Sequence, residues 1–149
     1  MAVQLQGNLV KKAHKKIKYT DKMLADLAKC SDPDTGPMYF MENFLQIQHP
    51  TKGAIKFEPF GFQKKLVKNY HENRFSINML PRQTGKTTCA SAYLLWYAMF
   101  VPDSQILIAA HKYTGAQDIM NRFRYAYESV PDFIRPGIYS YNRNTIAIQ

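Results

Sequence analysis

The chain has 149 residues, 46% of them hydrophobic, which suits one globular domain with its own core and excludes a disordered segment. Its formal net charge of +9 favours a polyanionic partner, nucleic acid first and a membrane surface only second. No apolar stretch reaches the roughly 20 residues that span a bilayer, no signal peptide is visible, and we expect no membrane partner. The two cysteines, far apart in the sequence, are expected to be reduced thiols, and the four histidines lack the spacing of metal ligands.

A basic segment, residues 1–36, opens the chain. It is expected to be partly helical, because apolar residues recur among its lysines with weak helical spacing. A turn cluster rich in aspartate, proline and glycine, residues 31–37, marks its boundary. The plain interpretation is a solvated helix with a frayed start, and the alternative is a contact with DNA or with a neighbouring subunit.

Beyond this turn the sequence predicts two helices with a short strand between them. Apolar and aromatic residues at helical spacing predict a helix over 38–48, and residues 54–57 suit a short strand. The second helix is predicted over 64–73 and follows Phe62 and Gln63. A glutamine here can bond an adenine edge, because its amide offers a donor and an acceptor together, and Phe62 can stack on the base. The alternative is that Gln63 is a polar surface residue at a helix start.

The most informative stretch is an apolar run, a tight turn and a second apolar run in succession. Residues 75–80 predict a strand, and residues 89–101 predict a buried helix. The turn between them ends in Gly85-Lys86-Thr87, the tail of the phosphate-binding loop pattern. Leu80 replaces the first glycine of that pattern, so a chance tripeptide at a helix start is the alternative. The flanking strand and helix are the context that the motif requires, and they favour nucleotide binding.

Each residue of the tripeptide has a physical reason to be in such a loop. Gly85 has no Cβ, so the backbone can pass close to a phosphate, towards which the amides of the loop and of the first helical turn point. Lys86 would place its ammonium group near the β- and γ-phosphates, and the Thr87 hydroxyl would be a Mg²⁺ ligand.

After this helix the sequence predicts another strand, another helix and a hairpin. Residues 105–110 have the pattern of a buried strand, which completes a βαβ unit with a right-handed crossover. The expected fold is therefore α/β, with a parallel sheet flanked by helices. His111-Lys112 would lie at the carboxyl end of the second strand, where ligands bind in open α/β sheets. A helix is predicted over 114–129, and residues 138–141 and 145–149 suit a hairpin.

Several separate motifs occur in order along roughly residues 37–149. They are Pro37-Met38-Tyr39-Phe40 with Glu42-Asn43, His49-Pro50-Thr51-Lys52-Gly53, Phe62-Gln63-Lys64, Arg82-Gln83-Thr84-Gly85-Lys86-Thr87-Thr88, Ala110-His111-Lys112, and Pro131-Asp132-Phe133 with Pro136-Gly137-Ile138. Together they resemble the large terminase subunit of tailed bacteriophages, most closely its contractile-tailed branch. That protein is the ATP-driven motor that packages the viral genome. The family's loop also lacks the first glycine, so Leu80 is no objection to the match.

The resemblance implies a role for each matching residue. Lys86 and Thr87 match the phosphate and Mg²⁺ ligands, and Gln63 matches an adenine-reading glutamine. Arg82 matches an arginine thought to act in cis on the γ-phosphate, where a guanidinium stabilises the developing charge. The alternative for Arg82 is a ground-state phosphate contact only. The candidate catalytic residues are thus Arg82 and Lys86, and the candidate set for ATP and Mg²⁺ is Phe62, Gln63, Arg82, Gln83, Thr84, Gly85, Lys86, Thr87 and Thr88.

The resemblance also implies what the intact protein does. It would hydrolyse ATP to translocate double-stranded DNA into a procapsid, and would cut the concatemeric genome with a separate nuclease domain. The implied partners are double-stranded DNA, the portal protein, the small terminase subunit and further copies of itself in a ring. The implied location is the host cell cytoplasm, docked on the procapsid, and not the mature virion. His111-Lys112 matches a segment that couples nucleotide state to the rest of the motor, with a surface strand end as the alternative.

The sequence departs from the family's pattern in length. The family's motor domain continues with an apolar strand that ends in an aspartate for Mg²⁺ and a glutamate that activates water, and no such strand follows Lys112. Residues 37–149 are therefore expected to be the front part of the ATPase domain, holding nucleotide weakly and lacking efficient catalysis. The alternatives are a helicase or translocase fragment and a non-catalytic, basic DNA-binding or interaction fragment.

Overall fold

The computed structural model describes residues 10–49, 51 and 53–149, which form five α-helices and two small antiparallel sheets. In chain order the elements are α1 (Asp21–Cys30), α2 (Gly36–Phe44), β1 (Gln46–His49), β2 (Gly53–Lys56), α3 (Gly61–Glu72), α4 (Lys86–Phe100), α5 (Tyr113–Ser129), β3 (Ile138–Tyr141) and β4 (Ile146–Ile148). The predicted mixture of helices and strands is confirmed. No helix among the described residues is both long enough and apolar enough to cross a membrane.

Helix α4 lies at the centre of the packing. It is apolar on nearly all sides, and such a helix leaves water only when other elements surround it. Helices α2, α3 and α5 all pack against it. Its residues Cys89, Ala92, Leu95 and Trp96 are at most 3% exposed. The predicted buried helix after the turn is thus confirmed.

Both cysteine thiols are free and buried in this core. Burial, and after it the Asp26 carboxylate, raises the pKa of Cys30 to about 12, and burial raises the pKa of Cys89 to about 11. The thiolate is the reactive form, and it is nearly absent at neutral pH. We therefore expect neither thiol of the folded protein to react with iodoacetamide at neutral pH, whereas both react in concentrated guanidinium chloride, as mass spectrometry would show.

The same shifts make the free energy of unfolding depend on alkaline pH. The ordinary pKa of both thiols is 9.0, so above that value the unfolded chain loses protons that the folded chain retains. The contribution of the two thiols to the free energy of unfolding is fully present below pH 9.0, the pKa of a thiol in the unfolded chain. It is lost as the pH rises through the folded pKa values of about 11 for Cys89 and about 12 for Cys30. Rapid labelling of Cys30 or Cys89 in the native protein would contradict the burial of the thiols. Both the slow reaction with iodoacetamide and the alkaline pH dependence of stability rest on that burial.

The hairpin of β1 and β2 replaces the end of a predicted helix. Gln46 pairs with Lys56 and His49 with Gly53. The helix predicted over 38–48 ends instead at Phe44, because Leu45 takes an extended conformation and the next residues find a partner strand. The helical part of that prediction and the short strand near 54–57 are confirmed, and Pro50 and Lys52 lie outside the described residues.

The predicted C-terminal hairpin and the helix before it are also confirmed. Helix α5 is Tyr113–Ser129, one residue longer at its start than predicted. Strands β3 and β4 are antiparallel, with Ile138 opposite Ile148. The Asn142 side chain accepts hydrogen bonds from the backbone amides of Asn144 and Thr145, which fixes the turn between the strands.

The basic N-terminal segment is attached to this C-terminal hairpin. The Ile138 amide donates to the Lys11 carbonyl, with 2.9 Å between nitrogen and oxygen. The Lys11 side chain is 8% exposed, and its Nζ donates to the carbonyls of Asp132 and Arg135 at 3.0 and 2.6 Å. Helix α1 confirms that the segment is partly helical, while residues 1–9 lie outside the described residues. The predicted division at residue 36 stays a prediction.

The predicted parallel sheet is not formed in the described part of the chain. Residues 75–80 and 105–110 are not strands, and both sheets that the structure describes are antiparallel hairpins. Ile77, Met79 and Leu107 are more than 90% exposed. An apolar run becomes a strand only when neighbouring strands take up its backbone hydrogen bonds, and none of the described residues does so here.

Candidate functional site

The candidate loop lies between residues 75–80 and α4 and contains two left-handed backbone positions. Gln83 has a φ of 62° and Gly85 a φ of 75°, a conformation that glycine adopts without strain. Gly85 is the N-cap of α4, and its carbonyl accepts the first helical hydrogen bond from Cys89 at 2.9 Å. No side chain caps this helix start, so its first N–H groups are available to an anion. The predicted turn into a helix is confirmed.

The Lys86 side chain is exposed and lies across this turn. Its Nζ donates to the carbonyls of Leu80 and Pro81, both at 3.3 Å. Hydrogen bonds from a nitrogen to a carbonyl oxygen are typically about 2.7–3.2 Å, so these are long and weak. The ammonium group therefore lies beside the loop backbone in contacts that a phosphate oxygen can replace.

Three threonines follow the bend of the loop into the helix. The Thr84 hydroxyl donates to the Pro81 carbonyl at 3.0 Å, which closes the loop on itself. Thr87 and Thr88, in the first turn of α4, are partly buried. The Thr87 hydroxyl makes no hydrogen bond to a described residue, so its lone pairs are available to a cation.

Arg82 and Gln83 lie on the exposed side of the loop. Arg82 makes neither a hydrogen bond nor an ion pair with the residues that the structure describes. Its guanidinium group is therefore an exposed positive charge on the same loop as Lys86.

Gln63 reaches this site from the start of α3, where Phe62 precedes it in the sequence. Phe62 is 43% exposed and stacks on Phe60, with ring centroids 6.0 Å apart and planes inclined by 7°. Gln63 is 6% exposed and its Nε2 donates to the Thr84 carbonyl at 3.0 Å. The family resemblance associates Gln63 with the nucleotide site, but no sequence signal indicates its direct bond to the loop.

Two of the acidic residues downstream of the loop, Glu128 and Asp132, are engaged elsewhere. The Glu128 carboxylate accepts from the Tyr141 hydroxyl at 2.6 Å, and the Asp132 carboxylate pairs with Lys15 and Arg135, each at 3.1 Å. Within residues 10–49, 51 and 53–149, no group of three or more His, Cys, Asp or Glu could hold a metal ion.

One acidic residue does share a cavity with the end of the loop. Asp118 on α5 and Thr88 on α4 line a cleft of about 530 Å³ between these helices and β1. Ser91 lies in the same cleft, 2% exposed, and its hydroxyl has no partner among the described residues. Asp118 was not singled out by the sequence, because it lies in the middle of a helix with no apolar strand before it.

The loop and the elements that follow it match a known protein family. Residues 77–149 match the family model described as terminase large subunit, T4likevirus-type, N-terminal. The matched stretch contains the loop, α4, α5 and the β3–β4 hairpin. Residues 77–149 therefore match the N-terminal part of a T4-like terminase large subunit.

Proposed function

We propose that this part of a terminase large subunit binds Mg-ATP at the loop of residues 80–88. The observation that carries the proposal is the position of Lys86, whose ammonium group lies across an uncapped helix start in weak contacts with the loop backbone. A helix start without a capping side chain favours an anion, and the lysine supplies the opposite charge. The residues present thus fit a triphosphate.

The remaining candidate residues have roles that suit their positions. The Thr87 hydroxyl would bind Mg²⁺, since it has no partner among the described residues. Arg82 would contact the γ-phosphate, where a guanidinium group stabilises charge that develops during transfer. Phe62, exposed beside the buried Gln63, offers an aromatic face to the adenine ring. The Mg²⁺ ion, when bound, would neutralise charge on the phosphate oxygens.

In the intact protein, ATP hydrolysis would drive double-stranded DNA into a procapsid, and a nuclease activity would cut the concatemer. The portal protein, the small terminase subunit and further copies of the chain would be its partners, in the host cell cytoplasm. The family match favours this packaging motor over a helicase or translocase. A non-catalytic DNA-binding fragment remains the alternative from another class, and would show salt-dependent DNA binding with no effect of nucleotide.

The proposal extends to the two unpaired segments, residues 75–80 and 105–110. In the intact protein these would be strands of the parallel sheet of a phosphate-loop ATPase. Ile77, Met79 and Leu107 would then be covered by neighbouring elements instead of being more than 90% exposed. This arrangement is the usual context of a phosphate-binding loop, which follows a strand and opens a helix.

The experiment that tests nucleotide binding compares the chain with its Lys86→Ala variant. We expect the variant to bind Mg-ATP at least about tenfold more weakly, because a charge-assisted bond to phosphate is lost. Isothermal titration calorimetry, or a fluorescent ATP analogue if binding is weak, would measure the dissociation constants. Lys22→Ala is the matched control, since it removes the same charge from the exposed surface of α1.

Equal affinity of the Lys86→Ala and Lys22→Ala variants would contradict the proposal. Phosphate release from ATP is a second readout. We expect it to be slow in this chain, because no apolar strand ending in an aspartate and a glutamate follows Lys112 in the sequence. Fast phosphate release that Lys86→Ala abolishes would show that another residue, such as Asp118, supplies that function.

A further inference from the structure

The Gln63 side chain joins the start of α3 to the candidate loop. Its Oε1 accepts from the Phe60 backbone amide at 3.0 Å, and its Nε2 donates to the Thr84 carbonyl at 3.0 Å. The side chain is 6% exposed, so these bonds are made away from water. Both polar atoms of the amide are thus engaged with the backbone of the protein itself.

We propose that Gln63 is a positioning residue that holds the phosphate-binding loop in shape through the Thr84 carbonyl. This inference rests on the proposed function of the loop. It assigns to Gln63 a role in binding the phosphates, whereas the family resemblance assigns it the adenine base.

The bond acts on the loop through one peptide unit. The Thr84 carbonyl and the Gly85 N–H belong to the same peptide group, which is planar and trans, so the two point in opposite directions. Because Nε2 of Gln63 holds the carbonyl on its own side, the Gly85 N–H is turned to the other side. The Gln63 amide thereby fixes the direction of a donor immediately before Lys86.

The packing at Gly85 supports the same role. A Cβ added to Gly85 would lie 2.7 Å from Nε2 of Gln63, so the amide group is in direct contact with the loop backbone. The position therefore requires glycine for two reasons, the φ of 75° and the closeness of Gln63. The amide and the loop fit each other with no room for another group between them.

Reading an adenine edge would place a different demand on Gln63. It would have to offer its donor and its acceptor outward to the base, as hydrogen-bonding pairs require. In this structure both atoms face the backbone of Phe60 and Thr84. Base recognition would thus require these two buried bonds to be broken or shared.

The two roles differ in their effect on a ligand that has no base. The Gln63→Met variant is neutral and of similar length, and it loses both hydrogen bonds. We expect it to bind Mg-ATP and magnesium tripolyphosphate about tenfold more weakly than the wild-type chain, with an unchanged ratio of the two affinities. Competition against a fluorescent ATP analogue would measure both dissociation constants.

A loss confined to ATP, with tripolyphosphate binding unchanged, would overturn the inference and assign Gln63 to the base. Unchanged binding of both ligands would also overturn it. The Lys86→Ala variant separates this inference from the proposed function: if Lys86→Ala has no effect on either ligand, the loop is not the site at all. Gln105→Met, at an exposed glutamine outside the loop, is the matched control.

A second readout needs no ligand. We expect Gln63→Met to move the Gly85 amide resonance in a ¹⁵N–¹H correlation spectrum, because the orientation of its peptide group changes. Gln63→Glu, which keeps the acceptor for Phe60 and loses the donor to Thr84, should move the same resonance even if Gln63→Met folds poorly. Circular dichroism would confirm that each variant is folded, and an unmoved Gly85 resonance in a folded variant would refute the inference.

Discussion

Replacing Gly85 with alanine is expected to lower the free energy of unfolding by about 2–5 kcal/mol and to remove measurable nucleotide binding by the loop. The first cause is backbone strain, since alanine at a φ of 75° costs about 1–2 kcal/mol. The second is a collision, because the new Cβ would lie 2.7 Å from Nε2 of Gln63. This end of a flexible side chain can move aside only by giving up its buried hydrogen bonds, which costs about 1–3 kcal/mol. Relief of the collision displaces either Gln63 or the loop, and both displacements disturb the phosphate site.

Gly53 offers a matched control for this substitution. Its φ of 72° is nearly the same, but a Cβ there would meet nothing within 4 Å. Gly53→Ala should therefore show the strain alone, about 1–2 kcal/mol, and leave nucleotide binding intact. Urea denaturation followed by circular dichroism would give both stabilities, and calorimetry the affinities. Equal destabilisation of the two variants would mean that the Gln63 side chain moves away from the new Cβ at no cost in free energy. Undisturbed ATP binding by Gly85→Ala would contradict the proposed site.

The loop and α4 could be predicted from sequence because local chemistry determines them. A glycine before a lysine and a threonine, ahead of a long apolar run, is enough to predict a tight turn that opens a buried helix. The β3–β4 hairpin was predictable for a similar reason, since Asn142 makes its own turn hydrogen bonds to residues close in sequence.

The strands were harder to predict, because a strand depends on partners that its own residues do not specify. Residues 75–80 and 105–110 have the composition of strands, yet no described residue pairs with them. Residues 46–48 have helical spacing, yet they pair with β2 once Leu45 turns the chain out of α2. Hydrogen bonding to a partner strand decides both cases, and the residues of one segment do not specify that partner.

The contacts of the candidate site show the same limit at the level of side chains. The bond from Gln63 to Thr84 spans 21 positions in the sequence and has no signal in spacing or composition. The burial of Lys11 was equally unexpected, because a lysine in a basic segment is normally solvated. Its ammonium group is accommodated because two carbonyls near the C-terminus accept its hydrogen bonds, which lowers the cost of burial.

Trp96→Ala is expected to lower the free energy of unfolding by about 3–5 kcal/mol, a large part of the about 5–15 kcal/mol that a domain of ordinary stability has. The indole is 3% exposed and stacks on Tyr93 and Phe100, with centroids 6.0 and 6.2 Å apart. Its Nε1 donates to the Cys30 carbonyl at 2.7 Å, which ties α4 to the end of α1. Alanine would leave a cavity at the centre of the helical packing and an acceptor without its donor.

Trp96→Phe separates the two contributions. It keeps most of the ring packing and loses the bond to Cys30, so we expect a smaller loss of about 1–3 kcal/mol. Phe75→Ala is the matched control, because Phe75 is 83% exposed and its removal should change stability by less than about 0.5 kcal/mol. Trp96 is the only tryptophan, so far-ultraviolet circular dichroism in urea is the suitable measurement. If Trp96→Ala were as stable as Phe75→Ala, α4 would not be the centre of the core, and the loop that it positions would lose its structural support.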